Sequence, residues 1–275
     1  MMQTCMALSP TKALFAPLLF SGDLERGMQA ASQLGYDGVE FNLLNSDSVD
    51  QEAILSWLQK YELSVPSIGT GQSYFQEGLS LADTSQEVQH KVRERMCGHI
   101  RFASRLHARV VIGSVRGKLS SGSETERQAG YHTALEAAAT LGAYAAELGV
   151  ELTVEPINRY ETNFLNTIEE TLCFIRATNC SNIGLLADTF HMNIEEADML
   201  LSLQAAGDLL WHVHFADSNR YAPGMGHLDF QQLVRKLKEM DYQGYVSAEI
   251  IPVPDSDSAA RKWMDFIRPL ISRKL

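Results

Sequence analysis

No run of residues in this chain approaches the roughly 20 consecutive apolar side chains that a membrane-spanning helix needs. The apolar stretch near the N-terminus, residues 13–20, is short and interrupted by Pro17, and no basic region leads into it, so no secretory signal is expected. Basic residues are few: 23 Lys and Arg stand against 34 Asp and Glu, a formal net charge of −11. The cations are also scattered, and the lack of a basic footprint argues against nucleic acid as a partner. It does not exclude an acidic small molecule, because one or two local arginines suffice to hold a carboxylate. Cysteine is scarce too. Cys5, Cys97, Cys173 and Cys180 show no paired spacing and read as small buried residues of a reduced, cytoplasmic protein. Low-complexity segments and domain linkers are missing as well.

What is present is ordinary globular composition, 45% hydrophobic and 21% charged over 275 residues, enough chain to bury a sizeable core. Short β-rich runs alternate with longer helical patterns, the signature of βα units around a parallel sheet. Strands are predicted at 4–9, 38–42, 63–68, 109–113, 151–155, 183–188, 210–215 and 245–251. Helices are predicted at 23–34, 50–61, 84–106, 124–148, 167–177, 195–206, 229–240 and from 258 onward. Glycines at 35, 149 and 244 fall between a helix and the next strand, where a C-terminal cap belongs. Eight such units close a barrel, so the expected architecture is one α/β domain over residues 1–275, a single (β/α)₈ TIM barrel.

Side chains alternate faces along a strand, so parity shows which polar groups point into the barrel. In Tyr245–Ile250, Val246, Ala248 and Ile250 suit the helix-facing layer, which turns Glu249 inward. By the same argument Glu155 points inward beside the strand-ending Pro156, and Asp188 does so at the end of strand six. Strand seven puts His212 and His214 on one face, His214 nearer the C-terminal end and His212 one layer below as a hydrogen-bonded interior residue. Four strands thus deliver Glu155, Asp188, His214 and Glu249 to the C-terminal mouth, where barrel enzymes keep their active sites. Three converging carboxylates repel one another unless a cation neutralises them. Three oxygens and one imidazole nitrogen suit one divalent ion, Mn²⁺ foremost, with Co²⁺ or Mg²⁺ as alternatives, better than a structural zinc site.

Longer motifs surround these residues. The segments Val154-Glu155-Pro156-Ile157-Asn158-Arg159-Tyr160-Glu161, Ala187-Asp188-Thr189-Phe190-His191-Met192-Asn193-Ile194-Glu195-Glu196 and His212-Val213-His214-Phe215-Ala216-Asp217-Ser218-Asn219-Arg220, with Ser247-Ala248-Glu249, resemble the ketose 3-epimerase branch of the xylose-isomerase-like barrels. Tagatose and psicose 3-epimerases are its familiar members. In the first half, Ile68-Gly69-Thr70-Gly71-Gln72, Gly78-Leu79-Ser80-Leu81 and Val111-Ile112-Gly113-Ser114-Val115-Arg116-Gly117 are similar to the 5-keto-L-gluconate epimerases, which act on keto-uronates. The resemblance implies that Glu155, Asp188, His214 and Glu249 bind the metal. It implies that Glu161, His191 and Arg220 hold substrate near its carbonyl, with Gln72 also in the binding set. A dimer or tetramer of identical chains is implied too. Where tagatose-type enzymes present an aromatic wall after strand four, this chain has Arg116 and Lys118, so Arg116 is expected to pair with the carboxylate of a keto-uronate such as 5-keto-L-gluconate or D-tagaturonate. His227 and Asp229 are expected to organise their loop and the start of the next helix.

The implied reaction inverts the carbon beside a ketone. One carboxylate removes the acidified proton and another delivers a proton to the opposite face, and Glu155 and Glu249 on well-separated strands are the expected pair. Rival expectations are a neutral-ketose 3-epimerase and an aldose–ketose or hydroxypyruvate-type isomerase on the same barrel. More remote are a non-catalytic binding protein and a DNA-repair endonuclease of the related family. The last uses extra histidines at early strand ends, where this chain has Ile68-Gly69 and Ile112-Gly113.

Overall fold

In the computed structural model, which describes residues 2–12 and 17–273, every strand runs parallel to its neighbours and the last pairs with the first. The strands are β1 (Gln3–Leu8), β2 (Gly38–Asn42), β3 (Ser67–Gly69), β4 (Arg109–Ile112), β5 (Leu152–Val154), β6 (Ile183–Asp188), β7 (Leu210–His214) and β8 (Tyr245–Ala248). The helices are α1 (Leu24–Leu34), α2 (Gln51–Tyr61), α3 (Gly71–Glu77), α4 (Gln86–Leu106), α5 (Glu124–Glu147), α6 (Ile168–Ala177), α7 (Thr189–Glu195), α8 (Met199–Ala206), α9 (Phe230–Glu239) and α10 (Ser256–Ser272). The expected (β/α)₈ barrel is the one observed.

Helix starts are written in polar caps. Asp23, Asp50, Asp229 and Asp255 each accept a backbone N–H of the first turn, and Ser123 and Thr167 form reciprocal boxes with Glu126 and Glu170. Gly35 ends α1 at φ 75°, a left-handed position that favours glycine. The outward residues of the strands, among them Val39, Phe41, Ile68, Val110, Ile112, Leu152, Val154, Leu185, Val213 and Val246, are buried beneath the helices and form the main core. In α10, Trp263 is fully buried; it stacks on Tyr36 at 5.6 Å and donates to the Phe215 carbonyl at 2.8 Å, which ties the last helix to the end of β7. The inward parity is different in kind. Glu40, Ser67, Thr153, His212 and Ser247 are buried on the barrel axis, where aliphatic side chains usually dominate.

Several boundaries differ from expectation for physical reasons. The third strand begins at Ser67 because Pro66 has no N–H for the ladder, and Ser64 makes only an isolated bridge to Gly38. A loop was expected after β3, yet α3 forms there; seven residues offer too few turns to show a period. The helix expected at 195–206 is observed as α8, starting after the Asp198 cap, and it is preceded by an unexpected short helix, α7, that starts directly from Asp188. The cysteines are all free, but only Cys5 is buried, and Cys173 is exposed. Of the N-terminal apolar stretch, residues 13–16 lie outside the described residues, while Leu18, Leu19 and Phe20 are buried. Among the described residues no helix is long and apolar enough to cross a membrane.

Candidate active site

The C-terminal mouth of the barrel encloses a cavity of about 740 Å³. Glu155 follows β5, Asp188 ends β6, His214 ends β7 and Glu249 follows β8. One donor atom from each lies within 4.8 Å of the others, so the four are brought together. Main-chain pairing sets their heights: Asp188 is in register with His214, and His214 with Ser247, two residues before Glu249. Glu155 is anchored by its own N–H, which donates to the Ile112 carbonyl at 3.2 Å.

His214 shows what the cluster lacks from protein alone. Its Nδ1 is buried with no hydrogen-bond partner, and faces Glu249 Oε2 at 3.3 Å, Glu155 Oε1 at 3.6 Å and Asp188 Oδ2 at 3.6 Å. One unpaired nitrogen amid three carboxylate oxygens fits a hard divalent cation, and the residues present can hold one. Burial and the neighbouring Glu249 charge push the Glu155 carboxyl up to about 8, with Asp188 adding to the rise against His214 and Arg220. Asp188 is held low: burial works the other way, but the Arg220, His191 and His214 charges outweigh it. His214 is raised well above its ordinary range, burial being overcome by Glu40 and Glu249.

Glu40, which sequence reasoning missed, lies beneath the cluster. Fully buried on β2, its Oε2 sits 2.8 Å from His212 Nε2 and 3.2 Å from His214 Nε2. Burial alone would raise its pKa, yet the two imidazoles hold it well below the carboxylate range. A carboxylate on one ring nitrogen fixes the imidazole's orientation and leaves the other, Nδ1, free toward the cavity. The signal was available in parity: Glu40 and Asn42 share the inward face of β2, as both are two-residue steps from each other. Cys5, Glu40 and His212 also approach within 4.8 Å, but Glu40 is already engaged by both histidines.

The remaining predicted residues fall on both sides of expectation. Arg220, in the left-handed region at φ 62°, donates to Asp188 Oδ2 at 3.0 Å and to Glu249, approaches His191 Nε2 at 3.0 Å, and lies over the Phe190 ring. His191 is buried and lowered to about 3 by burial and then by Arg220, so its ring is neutral near pH 7. Its Nδ1 meets the Asn158 side-chain amide at 2.8 Å, and the same amide donates to Glu161 at 2.9 Å. Glu161, His191, Arg220 and Gln72 all line the cavity. The Gln72 amide, however, donates to Ser9 Oγ at 2.6 Å and the Asn42 carbonyl at 2.9 Å, so its two N–H groups brace the wall and are not free for a ligand.

The expectation for Arg116 is corrected. Its side chain is buried and does not line the cavity; the guanidinium donates to the carbonyls of Phe164 (2.8 Å), Gly113 (3.0 Å), Glu155 (2.7 Å) and Leu165 (3.1 Å). Four of the five donors of this planar fork are spent on converging carbonyls, and the guanidinium does not reach the cavity to meet a substrate carboxylate. His227 and Asp229 organise their loop: His227 pairs with Ser218 at 2.9 Å and Asp229 caps α9. Gly113 also has a positive reason. A Cβ there would lie 2.7 Å from Glu155 Oε2, and one at Gly69 would lie 2.4 Å from Asn42 Oδ1, so a side chain at either strand end would have to displace these polar groups.

A closed eight-stranded barrel with one N- and three O-donors at its C-terminal mouth defines a class. The xylose isomerase-like TIM barrel profile matches residues 28–270, and the chain belongs to that family. An L-ribulose 3-epimerase of Methylomonas sp. (strain DH-1) is 31% identical over 285 residues, covering 91% of this chain and 94% of that protein. A ketose 3-epimerase of Arthrobacter globiformis is 29% identical, covering 81% and 75%. The crystal structure of a D-allulose 3-epimerase from Methylomonas sp. in complex with D-allulose superposes with a TM-score of 0.83 at 27% identity, covering 98% of this chain and 96% of the other. The relatives are epimerases, and the chain is an enzyme of that isomerase class.

Proposed function

We propose that the chain is a divalent-metal-dependent ketose 3-epimerase whose proton-transferring pair is Glu155 and Glu249, with a keto-uronate as the preferred sugar. The observation that supports it best is the unpartnered Nδ1 of His214 facing three carboxylate oxygens. Glu155, Asp188, His214 and Glu249 would hold the cation, with Mn²⁺ or Co²⁺ suiting the donor set. When bound, it supplies positive charge that acidifies the hydrogen beside the ketose carbonyl.

The chain's own residues do the rest. Glu155 and Glu249 come from strands three steps apart in an eight-strand ring, and in this reading one carboxyl serves each face of carbon 3. Burial and the Glu249 charge push Glu155 up to about 8 in the metal-free chain, and a carboxyl with a raised affinity for a proton suits an acid–base role. His191 contributes direction. Both of its nitrogens meet donors, Asn158 and Arg220, yet a neutral imidazole carries one N–H and one acceptor. One contact therefore yields when the N–H finds an oxygen acceptor, and a ketose oxygen supplies one. Glu161 and Arg220 complete the polar wall on that side.

Metal removal tests the reading. Chelated protein is expected to lose interconversion of ketose 3-epimers and to regain it with added Mn²⁺ or Co²⁺. Undiminished turnover in a preparation shown to contain no metal contradicts it.

A further inference from the structure

The cavity is built in two unlike halves. The four clustered donors come from β5 to β8. The facing wall comes from the segment after β1 (Lys12, Pro17, Leu18), from Asn42 ending β2, and from α3 (Gln72, Phe75, Gln76). A sugar whose reacting carbon lies between Glu155 and Glu249 extends its remaining carbons toward this second wall.

Among the described residues lining the cavity, the Lys and Arg side chains are Lys12 and Arg220. Arg220 is engaged by Asp188 and Glu249. Lys12 is exposed and, among the described residues, has no ion-pair partner. Pro17, Leu18 and Phe75 line the cavity with it, as do the polar Asn42, Gln72 and Gln76. Gln72 spends its amide on Ser9 and Asn42, and Gln76 gives one N–H to Gln72 at 3.2 Å, which leaves a second N–H on Gln76. The wall thus offers one full positive charge and one amide donor, opposite in the cavity to the cluster of acidic donors.

We propose that Lys12 is the specificity-determining residue of this enzyme, pairing with a carboxylate at the end of the sugar remote from its ketone. This rests on the epimerase reading and gives the acid-sugar preference the side chain that Arg116 cannot supply. A single ammonium with one amide matches the single charge of a carboxylate. A phosphate group calls for several N–H donors converging on it, often from a long helix's first turn.

The test compares kcat/KM for D-tagaturonate, D-tagatose and D-tagatose 6-phosphate on the metal-loaded wild type, Lys12→Gln and Lys12→Arg. Wild type is expected to prefer the acid. Lys12→Gln is expected to lose about 10–100-fold more on the acid than on tagatose, mainly through KM, as loss of a charge-assisted contact predicts. Lys12→Arg is expected to keep most of the acid preference. Equal losses on acid and neutral sugar, or no loss on the acid, overturn the role of Lys12 while leaving epimerisation intact. Phosphate preferred over carboxylate overturns the assigned ligand. Wild type that epimerises none of the three sugars overturns the epimerase reading, and this inference falls with it.

Discussion

Replacing Glu40 by glutamine keeps the shape of a buried side chain and removes its charge. In the structure its Oε2 accepts from His212 Nε2 at 2.8 Å and from His214 Nε2 at 3.2 Å. If the amide oxygen takes that place, two charge-assisted hydrogen bonds become neutral ones of roughly half the strength. If the NH₂ takes it, donors face donors and both imidazoles are free to rotate. Taking about 1.5–3 kcal/mol for each bond to a charged group, halving both loses about 1.5–3 kcal/mol, the scale at which outer carboxylates alter metal affinity by about 10–100-fold. Calorimetric titration of metal-free wild type and Glu40→Gln with Mn²⁺ reads this directly. The expected result is a Kd weakened within that range, with a folded far-UV spectrum retained. A Kd within twofold of wild type would mean that the position of His214 Nδ1 does not depend on Glu40, and the reasoning fails.

Glu155→Gln and Glu249→Gln are each expected to lower kcat by about 10²–10⁴-fold at saturating metal, and near wild-type turnover by either variant contradicts the two-carboxylate scheme. With its pKa raised from 4.5 to about 8, Glu155 keeps in the folded metal-free protein a proton that the unfolded chain releases. Its contribution therefore destabilises the metal-free fold progressively as pH rises from about 5 to 8, while metal binding displaces protons and tightens over the same window. Proton release measured in two buffers of different ionisation enthalpy should be larger at pH 7 than at pH 9; equal release removes this explanation. Arg116→Met removes the guanidinium from four buried carbonyls, of which Gly113 and Leu165 keep a backbone N–H while Glu155 and Phe164 lose the partner shown, and should cost about 3–5 kcal/mol of stability by denaturant titration, whereas an intact stability with selective loss of acid substrate restores the carboxylate-reading role.

The four clustered donors were legible because each ends or directly follows a strand whose opposite face is plainly apolar, so two-residue parity indicated their direction without any tertiary knowledge. Glu40 obeyed the same parity but sits in mid-strand, in a segment buried on both faces, and only the fold reveals that His212 and His214 arrive from the far side of the barrel. Arg116 went the other way. Its place after a strand suggested a mouth residue, and nothing local announces that the 164–165 loop folds back to offer carbonyls to its guanidinium. Gln72 was placed at the cavity correctly, yet its amide is claimed by Ser9 and Asn42, residues 63 and 30 positions away. The short helices α3 and α7 escaped notice since seven residues show no period, although Asp188 both caps α7 through Oδ1 and faces the cluster through Oδ2.

The central claim, proton exchange at the carbon beside a ketone by two glutamates, is tested most directly in deuterated water. Metal-loaded protein incubated with a ketose in D₂O, and analysed by NMR before equilibrium, should place solvent deuterium at carbon 3 of the inverted product and at no other carbon. Deuterium at carbon 1 or carbon 2, or an inverted product formed without any label, contradicts the account.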